Sequence, residues 1–287
     1  MKSEYLRIIP RLDIKGPNLV KGIHFEGLRV LGKPERFARF YYENAADELF
    51  YQDAVASLYG RNSLLDIIKK TSSEIFIPLC VGGGLRSVDD IREVLRAGAD
   101  KVALNTAVVK RPELIKEASR AFGSSTILVS IEAIKQSNGS YEAYIDYGRE
   151  STGVDAVRWA QQAVDLGAGE LLVTSIDNEG TGSGYDLDLI KQIATSVTVP
   201  VIACGGCGDL SHITAAVVDG NADAVSLASV LHYYVVENQQ LFEGEGDFEV
   251  EGNIEFLQSK KQFKRVNTSK ITDIKKSLNK QGISCRI

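Results

Sequence analysis

Ile202-Ala-Cys-Gly-Gly-Cys-Gly208 is an apolar run that stops at a glycine cluster and leads into a helical pattern, Asp209 to Asp219. Pro78-Leu-Cys-Val-Gly-Gly-Gly84 has the same form and leads into a second helical pattern, Ser87 to Ala97. Glycines directly after a strand leave backbone N–H groups bare at the entry to a helix, where an anionic oxygen can approach without meeting a Cβ. Both runs therefore read as phosphate sites. Gly82 and Gly205 lie 205 − 82 = 123 positions apart, and so do Thr106 and Ser229, which end the related runs starting at Ala99 and Ala222. Glu48 and Glu170, in a looser pair of runs, are 170 − 48 = 122 apart. Solenoid repeats are far shorter, so a period of this length marks a duplicated half-domain.

Outward from these two runs, apolar strands alternate with helical patterns. Strands are expected at Arg7 to Asp13, Glu48 to Asp53, Phe76 to Val81, Lys101 to Leu104, Thr126 to Ile131, Glu170 to Ser175, Val201 to Ala203 and Ala224 to Leu227. Helices are expected at Pro34 to Ala46, Ser63 to Thr71, Ser87 to Ala97, Pro112 to Ala121, Asp155 to Leu166, Leu187 to Thr195 and Ser211 to Asp219, with a last one at Ile271 to Asn279. Ser87 with Asp90 three residues on resembles a capping box. Short apolar strands, each followed by a helix, describe an α/β fold, a (β/α)8 TIM barrel built from two half-barrel repeats, with an open doubly wound sheet as the alternative. A single barrel spans 1–287. It carries an inserted acidic segment at about 235–266, read as solvated rather than as an exposed strand. Residues 14–33 read as a long functional loop holding a mobile Lys21. Asn138-Gly139, flanked by tyrosines, reads as a hairpin inserted after the fifth strand.

Composition narrows the function classes. The 287 residues are 44% hydrophobic and carry a net charge of −5, which is the opposite of a basic nucleic-acid footprint. No apolar run is long enough to span a membrane. Nothing at the amino end resembles a secretory signal, so a cytoplasmic location is expected. The four cysteines, Cys80, Cys204, Cys207 and Cys285, sit in or beside apolar runs and read as reduced. Cys204-Gly-Gly-Cys207 lacks the second ligand pair of a zinc site, and no metal or organic cofactor is implied.

Barrel active sites are built at the carboxyl ends of the strands. Asp13 ends the first strand and Glu132 the fifth, opposite it; Asp53 and Asp177 end the second and sixth, with Thr174 and Glu179 nearby. Gly82, Gly83, Gly84, Asn105 and Thr106 form one expected phosphate cradle. Gly180, Gly205, Gly206, Ala228 and Ser229 form the other. Opposed carboxylates between two cradles suit a substrate with a phosphate at each end and proton transfers in the middle. The plainer reading of any one such carboxylate is a helix cap or a partner for a lysine.

Together with Ile8-Ile-Pro-Arg-Leu-Asp13, Val20-Lys-Gly22, Gly167-Ala-Gly-Glu170, Thr174-Ser-Ile-Asp177 and Gly184-Tyr-Asp186, these motifs make the chain resemble the cyclase subunit of imidazole glycerol phosphate synthase over about residues 5–233. The resemblance implies a barrel that takes ammonia from a glutaminase partner docked at its amino-terminal face. It implies use of that ammonia on a bis-phosphorylated aminoimidazole-carboxamide ribulosyl nucleotide, giving imidazole glycerol phosphate and aminoimidazole-carboxamide ribotide. Asp13 is then the main acid/base, Glu132 its partner and Lys21 part of the closing loop. The resemblance also assigns Arg7, Glu48, Lys101 and Glu170 to a charged ammonia gate, for which a stabilising salt-bridge ring is the plain alternative. The chain departs from the family pattern at Arg11 (usually Cys), Glu132 and Glu179 (usually Asp) and Cys204 (usually Ser). These departures and the insertion keep two other readings open: an ammonia-channelling paralogue serving a sugar amidotransferase of surface-polysaccharide synthesis, and a non-catalytic phosphate-binding barrel.

Overall fold

Leu79–Gly82 (β5), Lys101–Leu104 (β6), Val201–Cys204 (β11) and Ala224–Leu227 (β12) are strands of only four residues, nearly all of them buried. Burial on both faces is what parallel strands under a helical layer require. With Arg7–Lys15 (β1), Leu49–Asp53 (β4), Ile127–Lys135 (β7) and Glu170–Ser175 (β10), they pair in parallel in chain order; β12 closes back onto β1 through Arg7 opposite Ala224. The result is a closed eight-stranded (β/α)8 barrel. The computed structural model describes residues 4–56, 64–238 and 265–287.

Helices cover the barrel: Pro34–Glu43 (α1), Leu65–Ser72 (α2), Val88–Arg96 (α3), Thr106–Lys110 (α4), Glu113–Phe122 (α5), Ala156–Asp165 (α6), Leu187–Ser196 (α7), Leu210–Val218 (α8), Ser229–Asn238 (α9) and Ile271–Lys280 (α10). The capping box of α3 forms in both directions, Asp90 N–H donating to Ser87 Oγ at 3.1 Å and Ser87 N–H to Asp90 Oδ2 at 2.9 Å. Alternate strand residues split between two cores. Ile8, Leu12, Leu49, Val81, Val129 and Val225 face the helices. Ile9, Phe50, Cys80, Ala103, Leu128, Leu172, Ile202, Cys204 and Ala224 fill the barrel interior. Among the described residues no helix is long and apolar enough to cross a membrane.

Several expectations are corrected. Residues 14–33 are not a loop: β1 runs on to Lys15 and pairs antiparallel with Asn18–Ile23 (β2), which pairs with Glu26–Gly32 (β3). The glycines that suggested a loop interrupt the strand alternation instead, and the β2–β3 register slips between Lys21 and Ile23, around Gly22. The third strand starts at Leu79 rather than Phe76, which is 82% exposed beyond Pro78. The fifth extends to Lys135, because it continues into the expected hairpin with Tyr141–Ile145 (β8) and Glu150–Asp155 (β9). Two further helices, α4 and α9, follow the fourth and eighth strands, and α9 occupies the beginning of the segment expected as an insertion. Most of that segment, 239–264, lies outside the described residues, as does Ser63.

Candidate active site

The inward-facing residues of β1 are Arg7, Ile9, Arg11 and Asp13, and they mark successive layers from the amino-terminal face of the barrel to its mouth. The first layer is charged. Arg7 donates to Glu48 at 2.6 Å and to Glu170 at 2.5 Å; Lys101 donates to Glu48 at 3.0 Å and to Glu170 at 3.1 Å. Each cation bridges both carboxylates, so the four expected gate residues form one closed ring. Above it lies the apolar interior layer.

Asp13 and Glu132 stand at the mouth, 2% and 3% exposed. Burial pushes the Glu132 carboxyl up to about 7, and the negative charge of Asp13 adds to the rise while the Arg11 cation opposes it. Its Oε2 has no protein partner. Glu132 and Asp53 line a cavity of about 360 Å³ together with Gly83, Gly84, Asn105 and Thr106. The first phosphate cradle and two mouth carboxylates therefore share one space.

Gly83 and Gly84 have φ of +101° and +73°, and a Cβ on Gly83 would lie 2.7 Å from the Asp53 carbonyl oxygen. Only glycine fits that turn. Asn105 and Thr106 are tied to the β8–β9 hairpin, Asn105 donating to the Tyr144 carbonyl at 3.3 Å and Thr106 Oγ1 accepting from Asp146 N–H at 3.0 Å. The second cradle is packed by neighbouring chain. Gly205 and Gly206 have φ of +87° and +100°; a Cβ on Gly206 would lie 2.0 Å from the Gly184 carbonyl oxygen, and one on Gly180 2.5 Å from that of Gly22. Ala228 and Ser229 lead into α9, where the Ala228 carbonyl accepts from His232 N–H at 2.8 Å. In conformation, Gly83 and Gly84 match Gly205 and Gly206, so the repeat offset here is 122, one less than the residue count from Gly82 suggested.

Three expected positions are revised. Lys21 lies on β2 rather than in a loop, 4% exposed and ion-paired with buried Glu179, which joins β2 to the loop after β10. Asp177 stands exposed and accepts at 3.0 Å from the N–H of Lys135, the last residue of β7. Asp53 lines the cavity while accepting from Val55 N–H at 3.0 Å. Thr174 is fully buried in the interior, 3.4 Å from Arg11 Nη1.

Arg11, known from the sequence only as an unusual residue, is 1% exposed, and its Nε donates to Asp13 Oδ1 at 2.9 Å. Strand alternation alone places it on the face of Asp13. Sequence reading also missed Gln52, Arg86, Lys110 and Tyr147, which line the cavity. Tyr147 carries no such signal, for it reaches the mouth from a hairpin turn with Asp146 and Tyr147 at positive φ. All four cysteines are free and buried, and burial pushes the Cys207 thiol up to about 12. Among the described residues no group of His, Cys, Asp and Glu side chains is placed to hold a metal ion.

Comparison with known proteins gives a family match and close relatives. The family described as "Histidine biosynthesis protein" matches residues 7–237. "Imidazole glycerol phosphate synthase subunit HisF" of Legionella pneumophila is 57% identical over 207 residues, 72% of this chain and 98% of the relative. The proteins of the same name from Methanocaldococcus jannaschii and Alkaliphilus metalliredigens are 48% and 46% identical, over 80% and 82% of this chain and 93% of each relative.

Proposed function

The chain belongs to the histidine biosynthesis protein family, and from that membership and its named relatives we infer that it is the cyclase subunit of an imidazole glycerol phosphate synthase, a lyase. It works in a complex with a glutaminase. The other two readings, a sugar-amidation conduit and a non-catalytic barrel, are not favoured by relatives of this similarity. The substrate is a bis-phosphorylated aminoimidazole-carboxamide ribulosyl nucleotide, and the products are imidazole glycerol phosphate and aminoimidazole-carboxamide ribotide. The chain acts in the cytoplasm as a single barrel, with the acidic segment at about 235–266 as an insertion.

The observation that supports the site assignment is that Glu132, which feels the charge of Asp13, lines one cavity with Gly83, Gly84, Asn105 and Thr106 of the first cradle. In this reading Asp13 and Glu132 move protons at the centre of the substrate. Gly82, Gly83, Gly84, Asn105 and Thr106 receive one phosphate, and Gly180, Gly205, Gly206, Ala228 and Ser229 the other, once the hairpin bearing Lys21 lifts from Gly180. Thr174, Glu179, Asp53 and Asp177 shape the mouth. The glutaminase docks at the amino-terminal face, and ammonia enters through the ring of Arg7, Glu48, Lys101 and Glu170. Turnover of the nucleotide with ammonium salt tests this without the partner. Wild type should release imidazole glycerol phosphate and Asp13→Asn should lose at least 100-fold in rate; an inactive wild type, or an active variant, would overturn the assignment.

A further inference from the structure

Among the described residues Arg11 is the largest of the fully buried side chains, and its guanidinium reaches from β1 to β10 and β11 within the barrel interior. From β1 it reaches Thr174 Oγ1 on β10 at 3.4 Å and Cys204 Sγ on β11 at 3.6 Å, while Nε holds Asp13 Oδ1 at 2.9 Å. Phe25, at the β2–β3 turn, and Phe50, in the apolar layer, lie 5.3 and 5.7 Å from its Cζ, within cation–π range. The backbone is held as firmly. The Arg11 carbonyl accepts from His232 Nε2 at 2.8 Å, and His232 Nδ1 accepts from the Tyr41 hydroxyl at 2.6 Å. Burial pushes that imidazole down to about 3, so this prop stays neutral.

Among the described residues, the buried polar atoms that lack a protein partner include Arg11 Nη2, which can only donate, and Glu132 Oε2. Glu132 lines the cavity, where a substrate can satisfy its Oε2. We propose that Arg11 is a positioning residue for the reaction, clamping Asp13 as the proton acceptor and leaving Glu132 the proton donor. The inference rests on Asp13 and Glu132 being the working pair. When the carbinolamine formed by the added nitrogen loses water, Glu132 gives a proton to its hydroxyl, which departs as water, and Asp13 takes one from the nitrogen as the C=N bond forms. The pair thus exchanges protonation with no net gain.

Glu132 is faced from β1 by Asp13 and Arg11, from the β8–β9 turn by Tyr147, and from the loop after β10 by Glu179, whose charge Lys21 offsets. Across the cavity stand Asp53, Arg86 and the Lys110–Asp146 pair. Of these, Arg11 exerts the largest pull toward the ionised form of Glu132. Removing its charge strengthens the proton's hold on Glu132.

The test is the pH dependence of ammonium-driven kcat for the full chain, with free ammonia held constant, in wild type, Arg11→Gln and Arg11→Lys. Wild-type kcat should fall as pH rises through about 7, where Glu132 loses its proton. In a folded R11Q this alkaline limb should move up by about one pH unit. R11K keeps the charge but loses the Nε clamp, so it should hold the wild-type limb with kcat about 10-fold lower. A wild-type rate that rises through pH 7 would reverse the roles and overturn the proposal, as would an R11Q whose kcat falls with its limb unmoved. If R11Q does not fold, R11K decides, and wild-type kcat there overturns the proposal. A wild type inactive at every pH defeats the reading of the site and this inference with it; an active wild type whose Arg11 variants miss the expected limb and kcat changes defeats the inference alone.

Discussion

Burying the Glu132 carboxyl at the barrel mouth comes at the expense of stability. Its carboxyl, raised from 4.5 to about 7, is neutral in the folded chain where the unfolded chain would ionise it. A raised carboxyl contributes stability fully below the unfolded value and loses it as pH climbs through the folded one. Between about pH 4.5 and 7 this group alone should remove up to roughly 3 kcal/mol. Glu132→Gln, which copies the neutral acid, should therefore be the more stable protein at pH 8 and lose that advantage toward pH 5. Urea unfolding at the two pH values measures it, and a wild type as stable as the variant at pH 8 would contradict it. The carboxylates at the strand ends were legible because barrel geometry makes strand ends meet. Alternation along β1 also made the direction of Arg11 legible. Its partners on β10 and β11, 163 and 193 residues away in sequence, were not.

At the scale of elements, the β2–β3 hairpin is the part most changed from expectation. Its turn residues His24 and Phe25 both take positive φ, +51° and +62°, a conformation that two-residue hairpins usually assign to Asn-Gly. The surroundings hold it there. His24 N–H donates to the Glu179 carbonyl at 2.9 Å, His24 Nδ1 to the Ile176 carbonyl at 2.8 Å, and Phe25 packs on Tyr147 with ring centroids 4.3 Å apart. The buried Lys21–Glu179 pair completes the attachment. Lys21→Met would leave Glu179 buried and unpaired, a situation worth about 3–5 kcal/mol in buried pairs. Opening the hairpin relieves it more cheaply than unfolding the barrel. Amide exchange over 18–32 should quicken at least 10-fold while the barrel strands stay protected; equal acceleration in β5 and β11 would show that the pair supports the whole barrel instead. Positive φ in a His-Phe pair has no sequence signature, so a hairpin built on it reads as a loop.

Across the whole molecule, the charged ring at the amino-terminal face joins four strands that the chain visits far apart. Removing Arg7 alone leaves Glu48 and Glu170 to share Lys101. Arg7→Met should lower stability by about 1–3 kcal/mol. Adding Glu170→Gln should recover part of that loss, because Lys101 and Glu48 then balance. Denaturant midpoints of the two single variants and the double variant test this, and simple additivity would mean that the ring is not a coupled unit.

By itself the sequence determined the order of the eight barrel strands and most of the helices between them, the half-barrel repeat, the glycine turns and the family, because these follow from local periodicity, steric need and residue identity. The tertiary structure alone decided which groups meet: Arg11 with Asp13, Lys21 with Glu179, Asp177 with the Lys135 amide at the end of β7. Closure of the barrel brings strands distant in sequence within a few ångströms, and the proton affinity of a buried carboxyl depends on those neighbours and on lost solvation.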